Sequence, residues 1–159
     1  MGDNGRAFLR HAVATVAYRA GKVLRDVPAG FEDFRAGSTS RTAGQVLAHL
    51  GDLFDWAATL ARGAPEWTPR EPVDWNADVD RFFAAVARFD EVIASDAPLR
   101  ASPEAIFQGP VADALTHVGQ LALLRRLAGS PVRGENYFRA DIVTGRVGRI
   151  QTAPRREFE

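Results

Sequence analysis

Residues 45–57, QVLAHLGDLFDWA, carry apolar side chains at almost every third or fourth position. Because an α-helix completes a turn in about 3.6 residues, this spacing stacks Val46, Leu50 and Leu53 along one face. The pattern continues to Ala61. The segment therefore predicts an amphipathic helix with one buried stripe.

Three other segments share this periodicity, and they run from Leu9 to Val27, from Val79 to Ile93 and from about Val111 to Ala128. The expected start and stop signals are Pro28 and Gly30 after the first helix, Ser38, Thr39 or Ser40 before the second, Gly63 and Pro65 after it, Asp74 before the third, and Gly129 and Pro131 after the fourth. Helices of about 20 residues with one apolar side bury it most simply against one another. The prediction is an all-α fold, a four-helix bundle forming a single domain over residues 1–159.

The connections between the helices are long. If residues 63–73 are extended they span about 35 Å, which is enough to return along a whole helix and make the second and third helices parallel. Residues 129–159 lack helical spacing, so we expect a non-helical tail that packs on the bundle, with a short hairpin turning at Thr144–Gly145. Another connection is expected to be a loop because it holds three prolines, Pro98, Pro103 and Pro110.

The composition excludes several classes of function. Twenty Lys and Arg residues balance twenty Asp and Glu residues, so no field of one sign attracts nucleic acid or an anionic membrane. The chain has no cysteine, so any thiol chemistry needs a thiol from outside the protein. No signal peptide and no apolar run of about 18 residues occurs, so we expect a cytoplasmic protein with no membrane partner.

The three histidines differ in where they lie on their helices. His11 shares one side of the first helix with Tyr18 and Lys22, opposite the apolar stripe, and is expected on the solvated surface. His49 lies at the border of the buried stripe of the second helix, where a polar ring requires a partner. Three residues share its flank, and these are Gln45, Asp52 and Trp56.

Asp113 and His117 are four residues apart, so both side chains project from one seam of the fourth helix. If the second and fourth helices are neighbours, His49 completes a set of two imidazoles and one carboxylate. Such a set suits Zn, Fe, Ni or Mn and leaves coordination positions for water or substrate. The alternative is an Asp–His hydrogen bond without metal.

Other polar and aromatic residues have simpler interpretations. The acids expected to be solvated are Asp52, Asp55 and Glu104. The tryptophans, which are more often packing or helix-end residues than a ligand cage, are Trp56, Trp67 and Trp75. The sequence has no Gly-rich phosphate loop, serine nucleophile elbow or HExxH element, which argues against the familiar nucleotide-binding, esterase and zincin classes.

Two stretches, QVLAHLGDLFDWA around His49 and DALTHVGQLALLRRLAG around His117, resemble the DinB/YfiT-like superfamily of metalloenzymes. The resemblance covers the second and fourth helices, including the His-x-Gly-Gln motif at residues 117–120. It implies that one histidine of the second helix and two histidines at i, i+4 on the last helix bind a divalent metal, usually zinc or nickel. His49 and His117 match two of these positions, whereas the third falls on Asp113. A carboxylate is a competent ligand, although the change could also mark a site that no longer binds metal.

The resemblance also implies a reaction, the metal-dependent transfer or isomerisation of a small-molecule substrate with an exogenous low-molecular-weight thiol. Residues expected to contact substrate are Trp56, Gln45, Gln120 and Tyr137, the last from the tail. The second hypothesis is a non-catalytic, stress-related binding or dimer-forming bundle with a degenerate metal site. The third is a hydrolase that uses metal-bound hydroxide. A homodimer is a further expectation from the resemblance.

Overall fold

Four long helices make up most of the computed structural model, which describes residues 2–159 and the side chains from residue 4 onward. They are α1 (Gly2–Leu24), α2 (Ala43–Arg62), α3 (Trp75–Ala94) and α5 (Ala112–Leu127), and a single turn, α4 (Pro103–Ile106), precedes α5. Two short strands, β1 (Gly134–Glu135) and β2 (Glu157–Phe158), lie in the tail. The predicted all-α four-helix bundle is confirmed.

The start of α2 differs from the prediction. Thr42 caps the helix, because its hydroxyl accepts a hydrogen bond from the Gln45 backbone N–H at 3.1 Å while the Gln45 side chain accepts from the Thr42 N–H at 2.9 Å. This reciprocal capping box satisfies two backbone donors, which a single serine cap does not. Ser40, one of the predicted caps, instead closes a turn with Gly37.

Asp74 caps α3 as predicted, and Gly63 ends α2 with a φ of 78°.

The proline-containing segment before α5 is also different, since it is helical where a loop was predicted. Pro103 occupies the first turn of α4, where a residue without an N–H is tolerated, and Ser102 caps that turn. A wide π-helical turn at Phe107–Val111 then joins α4 to α5. Pro110 and the non-helical Gly109 lie within this turn, which accommodates the missing N–H.

The crossover predicted for residues 63–73 is present. Asp52 of α2 pairs with Arg81 of α3, and Asp55 pairs with Arg88, so residue numbers advance together and the helices are parallel. The connection returns along α2 and brings Trp67 beside His49. Around the bundle, α1 and α2 lie diagonally, and each packs against both α3 and α5.

The core is aromatic where α2 meets α3. Phe54 packs against Phe82 and Phe89 with ring centroids 5.8 and 6.0 Å apart, and all three side chains are fully buried. Such pairs add to the free energy of apolar burial. In the described range no helix combines the length and the apolarity that crossing a bilayer requires.

The C-terminal tail packs on the bundle, and it buries a side of α1 that the sequence analysis placed in solvent. Tyr18 donates a hydrogen bond to Glu135 at 2.7 Å, and Lys22 lies 3.0 Å from Glu135 and 2.8 Å from Glu157. Lys22 reaches both acids because β1 and β2 are antiparallel and place Glu135 opposite Glu157. The expectation of a solvated surface was therefore wrong for Tyr18 and Lys22, while His11 is exposed as predicted.

The predicted hairpin at Thr144–Gly145 is not formed. Gly145 makes a turn with a φ of 87°, but the residues on either side of it are not strands. The pairing of β1 with β2 links positions more than twenty residues apart, which the local turn signal does not encode.

The ion pair between Lys22 and Glu157 makes stability depend on pH. The hydrogen bond that Lys22 donates to the Glu157 carboxylate holds the pKa of Glu157 below the ordinary value of 4.5. A carboxyl whose pKa is lower in the folded chain stabilises the fold above its unfolded pKa, and this contribution is lost as the pH falls through the folded value. We expect Glu157→Gln to lower the free energy of unfolding near neutral pH and to leave it unchanged well below pH 4.5.

Urea unfolding of both proteins across this pH range measures the effect. Glu159→Gln is the matched control, since Glu159 is an exposed acid two residues away. A difference between wild type and Glu157→Gln that stays constant with pH would contradict the assignment.

Candidate metal centre

Two antiparallel helices bring the three predicted ligands together. His49 lies in the second turn of α2, and Asp113 and His117 lie in the first two turns of α5. One ligand atom from each of the three residues lies within 4.8 Å of the other two. The sequence placed Asp113 and His117 on one seam, and the packing of α2 against α5 adds His49.

Asp113 lies between the two imidazoles. Its carboxylate oxygens are 3.5 Å from His49 Nε2 and 3.2 Å from His117 Nδ1. The two rings meet edge to face with centroids 4.6 Å apart. Both histidines are largely buried, whereas 45% of the Asp113 side chain is exposed. The cluster of three side chains is therefore open to solvent on the side of the Asp113 carboxylate.

The tautomer of His117 follows from its backbone contact. His117 Nδ1 is 2.8 Å from the carbonyl oxygen of Asp113, so Nδ1 carries the proton and donates it to this oxygen. The lone pair of Nε2 is then free to bind a metal. A backbone carbonyl that orients a ligating imidazole in this way is a recurrent feature of metal sites.

The environment of His49 favours its neutral form. Burial lowers the pKa of His49, and the nearby His117 and Arg41 lower it further, while Asp113 acts in the opposite direction. A neutral imidazole has a lone pair to offer, whereas a protonated one repels a cation. His49 is thus prepared to act as a ligand near neutral pH.

The chemistry of the donor set and the spacing of one of its pairs fit a divalent transition metal. Tetrahedral ligand atoms at about 2.1 Å from zinc lie about 3.4 Å from one another. The 3.5 Å distance between His49 Nε2 and Asp113 Oδ2 has nearly this value. Two imidazoles and one carboxylate are also a ligand set that leaves positions open for other molecules.

Trp67, from the crossover, covers the His49 side of the site. Its ring meets His49 edge to face at 5.6 Å, and Trp56 packs against Trp67 at 5.7 Å. Trp56, the tryptophan predicted to contact substrate, packs on Trp67, and Trp67 is the ring that meets His49. Trp67 was predicted to be a packing residue, although its place in a segment expected to return along α2 was a signal for its position.

Two clefts flank the histidines. A cleft of about 430 Å³ beside His117 is walled by Val46, Leu123 and Leu124 and includes the predicted Gln120. A more polar cleft of about 300 Å³ lies beside His49 and includes the predicted Gln45 and the newly found Trp67. Arg41 lines both.

The other predicted residues are placed as follows. Gln45 lines the polar cleft, but its side-chain oxygen is used in the cap of α2. Tyr137 is not brought to the histidines. Its ring packs edge to face on Tyr18 at 6.3 Å, with the Arg19 guanidinium 3.9 Å above it. The tail lies along α1, so it places Tyr137 away from the α2–α5 seam.

The expectation of solvated acids was wrong for Asp52 and right for Glu104. Asp52 is buried, pairs with Arg81 and accepts a hydrogen bond from the Arg70 backbone N–H at 3.2 Å. Burial raises the pKa of Asp52, and the contacts with Arg70 and Arg81 oppose this rise. Asp52 therefore fastens the crossover to α2, a role that depends on a loop the helix pattern does not describe.

No protein-family model, no curated protein and no solved structure matches this chain. The resemblance to the DinB/YfiT-like superfamily stays a prediction, and the interpretation of the site depends on its geometry.

Proposed function

We propose that this protein is a cytoplasmic, divalent-metal-dependent enzyme of the thiol-transferase or isomerase type. The observation that carries the proposal is the convergence of His49, Asp113 and His117 from two helices, with ligand atoms within 4.8 Å of one another. These three residues would hold zinc or nickel, with iron or manganese as other candidates for the donor set. A divalent ion supplies Lewis-acid chemistry, which favours the thiolate form of a coordinated thiol.

The two clefts support a reaction with two reactants. One cleft is lined by His49 and the other by His117, so two small molecules could each lie beside one histidine of the candidate site. The chain has no cysteine, and the thiol is therefore an external reactant such as glutathione, mycothiol or bacillithiol. Asp113 is the most exposed of the three ligands, so the candidate site is open to solvent on this side.

One observation favours the non-catalytic alternative. His117 already has a hydrogen-bond acceptor in the Asp113 carbonyl oxygen, and Asp113 contacts both rings, so the three side chains satisfy one another without an ion. A stress-related binding or dimer-forming bundle is the second candidate on this ground, and the homodimer stays a prediction. The hydrolase hypothesis differs from the first because a hydrolase requires no thiol.

Metal content is the test of the proposal. We expect about one divalent ion per chain in tag-free protein purified without chelators, and loss of that ion in His117→Ala, because a site with three protein ligands loses much of its affinity with one of them. Elemental analysis by mass spectrometry gives the stoichiometry. His11→Ala is the matched control, since His11 is a histidine exposed on α1 and should leave the metal content unchanged.

Two outcomes contradict the proposal. Protein that takes up no zinc, nickel or ferrous iron on dialysis supports the non-catalytic bundle, and a folded His117→Ala that keeps its metal shows that the ligands are assigned wrongly. With the metal-loaded protein, loss of free thiol in the presence of electrophiles separates the transferase from the hydrolase.

A further inference from the structure

We propose that Arg41 binds an anionic group of the substrate, and that the substrate is a small molecule with a carboxylate joined to an apolar body. This inference rests on the proposed function, because it assigns a substrate class to the clefts beside the candidate metal ligands. It is carried by the position of Arg41, the character of the cleft beside His117 and the charges that line it.

Arg41 lies where the two clefts meet. It precedes the Thr42 cap of α2. Arg41 lines one cleft together with His117 and the other together with His49. The Arg41 side chain is exposed, and it forms no ion pair with any residue in the part of the chain that the structure describes. Its guanidinium is therefore available to a ligand in either cleft.

The cleft beside His117 is apolar. Val46 and Leu124 form its buried wall, and Leu123, 55% of which is exposed, forms its rim. Ligand clefts are lined mainly by apolar side chains, with a few polar groups that orient the ligand. The body of a ligand held here is expected to be apolar.

The charges that line this cleft point to an anion. Among the residues that form it, Arg41 is the single one with a permanent charge, and the acids of the other cleft, Asp52 and Glu71, form no ion pair with Arg41. A planar guanidinium binds a carboxylate through two parallel hydrogen bonds, which a neutral hydroxyl does not reproduce. The combination of an apolar wall and one unpaired arginine selects an amphipathic anion.

Two probe molecules of similar size test the inference, and these are 4-phenylbutyrate and its neutral analogue 4-phenyl-1-butanol. Titration calorimetry is carried out on wild-type protein in both its metal-free and its zinc-loaded forms. We expect the carboxylate to bind at least about tenfold more tightly than the alcohol in both forms, as charge-assisted hydrogen bonds require. In Arg41→Gln this preference should disappear, while the affinity for the alcohol stays unchanged.

Two further variants make the test specific. Arg35→Gln removes another exposed arginine of the same connection and should keep the preference. Leu123→Ser alters the exposed rim and should weaken binding of both probes equally.

Several outcomes would overturn the inference. The first two are no binding of either probe to wild type and equal binding of the two probes. The third is a carboxylate preference that survives in Arg41→Gln. The fourth is a preference that occurs only with zinc, which would mean that the metal and not Arg41 binds the anion. The zinc content of the same samples reports on the proposed function separately. A wild-type protein that takes up no zinc in the loading step but still prefers the carboxylate would contradict the zinc site and keep the assignment of Arg41.

Discussion

We expect zinc to bind His49→Ala at least about 100-fold more weakly than the wild-type chain. Loss of a residue that only orients a metal ligand lowers metal affinity by about 10- to 100-fold, and loss of a ligand itself lowers it more. His49 is the ligand that α2 supplies, and the other two lie on α5. Its loss leaves one carboxylate and one imidazole, which hold zinc weakly. Competition with a chromogenic chelator measures the dissociation constant.

Asp113→His is the informative companion to this variant. If the site is built as the resemblance implies, a histidine at this position completes the family's ligand set and should retain or tighten zinc and nickel binding. Asp113→Ala should weaken it about as much as His49→Ala does. Equal affinities for wild type, His49→Ala and Asp113→Ala would contradict the site, and loss of metal in Asp113→His would contradict its alignment with the family.

Arg125→Met is expected to lower the free energy of unfolding by about 3 kcal/mol, because it removes the donor of one buried and several partly buried carbonyl groups. Arg125 is buried near the end of α5 and donates to the carbonyl oxygens of Val23, Arg25 and Asp26 at 3.0, 2.6 and 3.1 Å. It also donates to Ser130. One side chain therefore caps the end of α1 and fixes the turn after α5.

Arg126→Met is the matched control for this prediction. Arg126 is the adjacent residue, is exposed, and should change the free energy of unfolding by less than about 0.5 kcal/mol when substituted. Urea unfolding followed by circular dichroism compares the two variants with wild type. Equal effects would show that Arg125 acts only through its general charge and not through its contacts with the end of α1.

The sequence predicted the four long helices because their signals are local. The apolar stripe of α2 and the caps at Asp74 and Gly63 act within one or two turns, so they can be read from neighbouring residues. Even the crossover was predictable, since a connection of that length can reach back along a helix. Two errors concern choices between adjacent local signals. Ser40 was a predicted cap where Thr42 is the cap, and Pro103 was predicted in a loop where it begins a helix.

The candidate site was predicted in part for the same reason. Asp113 and His117 share a seam because a helix repeats every three to four residues, and that relation is visible in the sequence. The position of His49 beside them depended on which helices are neighbours. Trp67 and Arg41 were not assigned to the site because they lie outside the helical pattern.

The sequence by itself determined the helices, their apolar faces and the pairing of Asp113 with His117, since each of these follows from contacts between residues a turn apart. The tertiary structure alone decided that Lys22 and Tyr18 are buried beneath the tail, that Tyr137 lies away from the site, and that Arg41 lies between two clefts. These features join residues distant along the chain. Their positions follow from how whole elements pack, because the contacts that bury one side chain come from another part of the molecule.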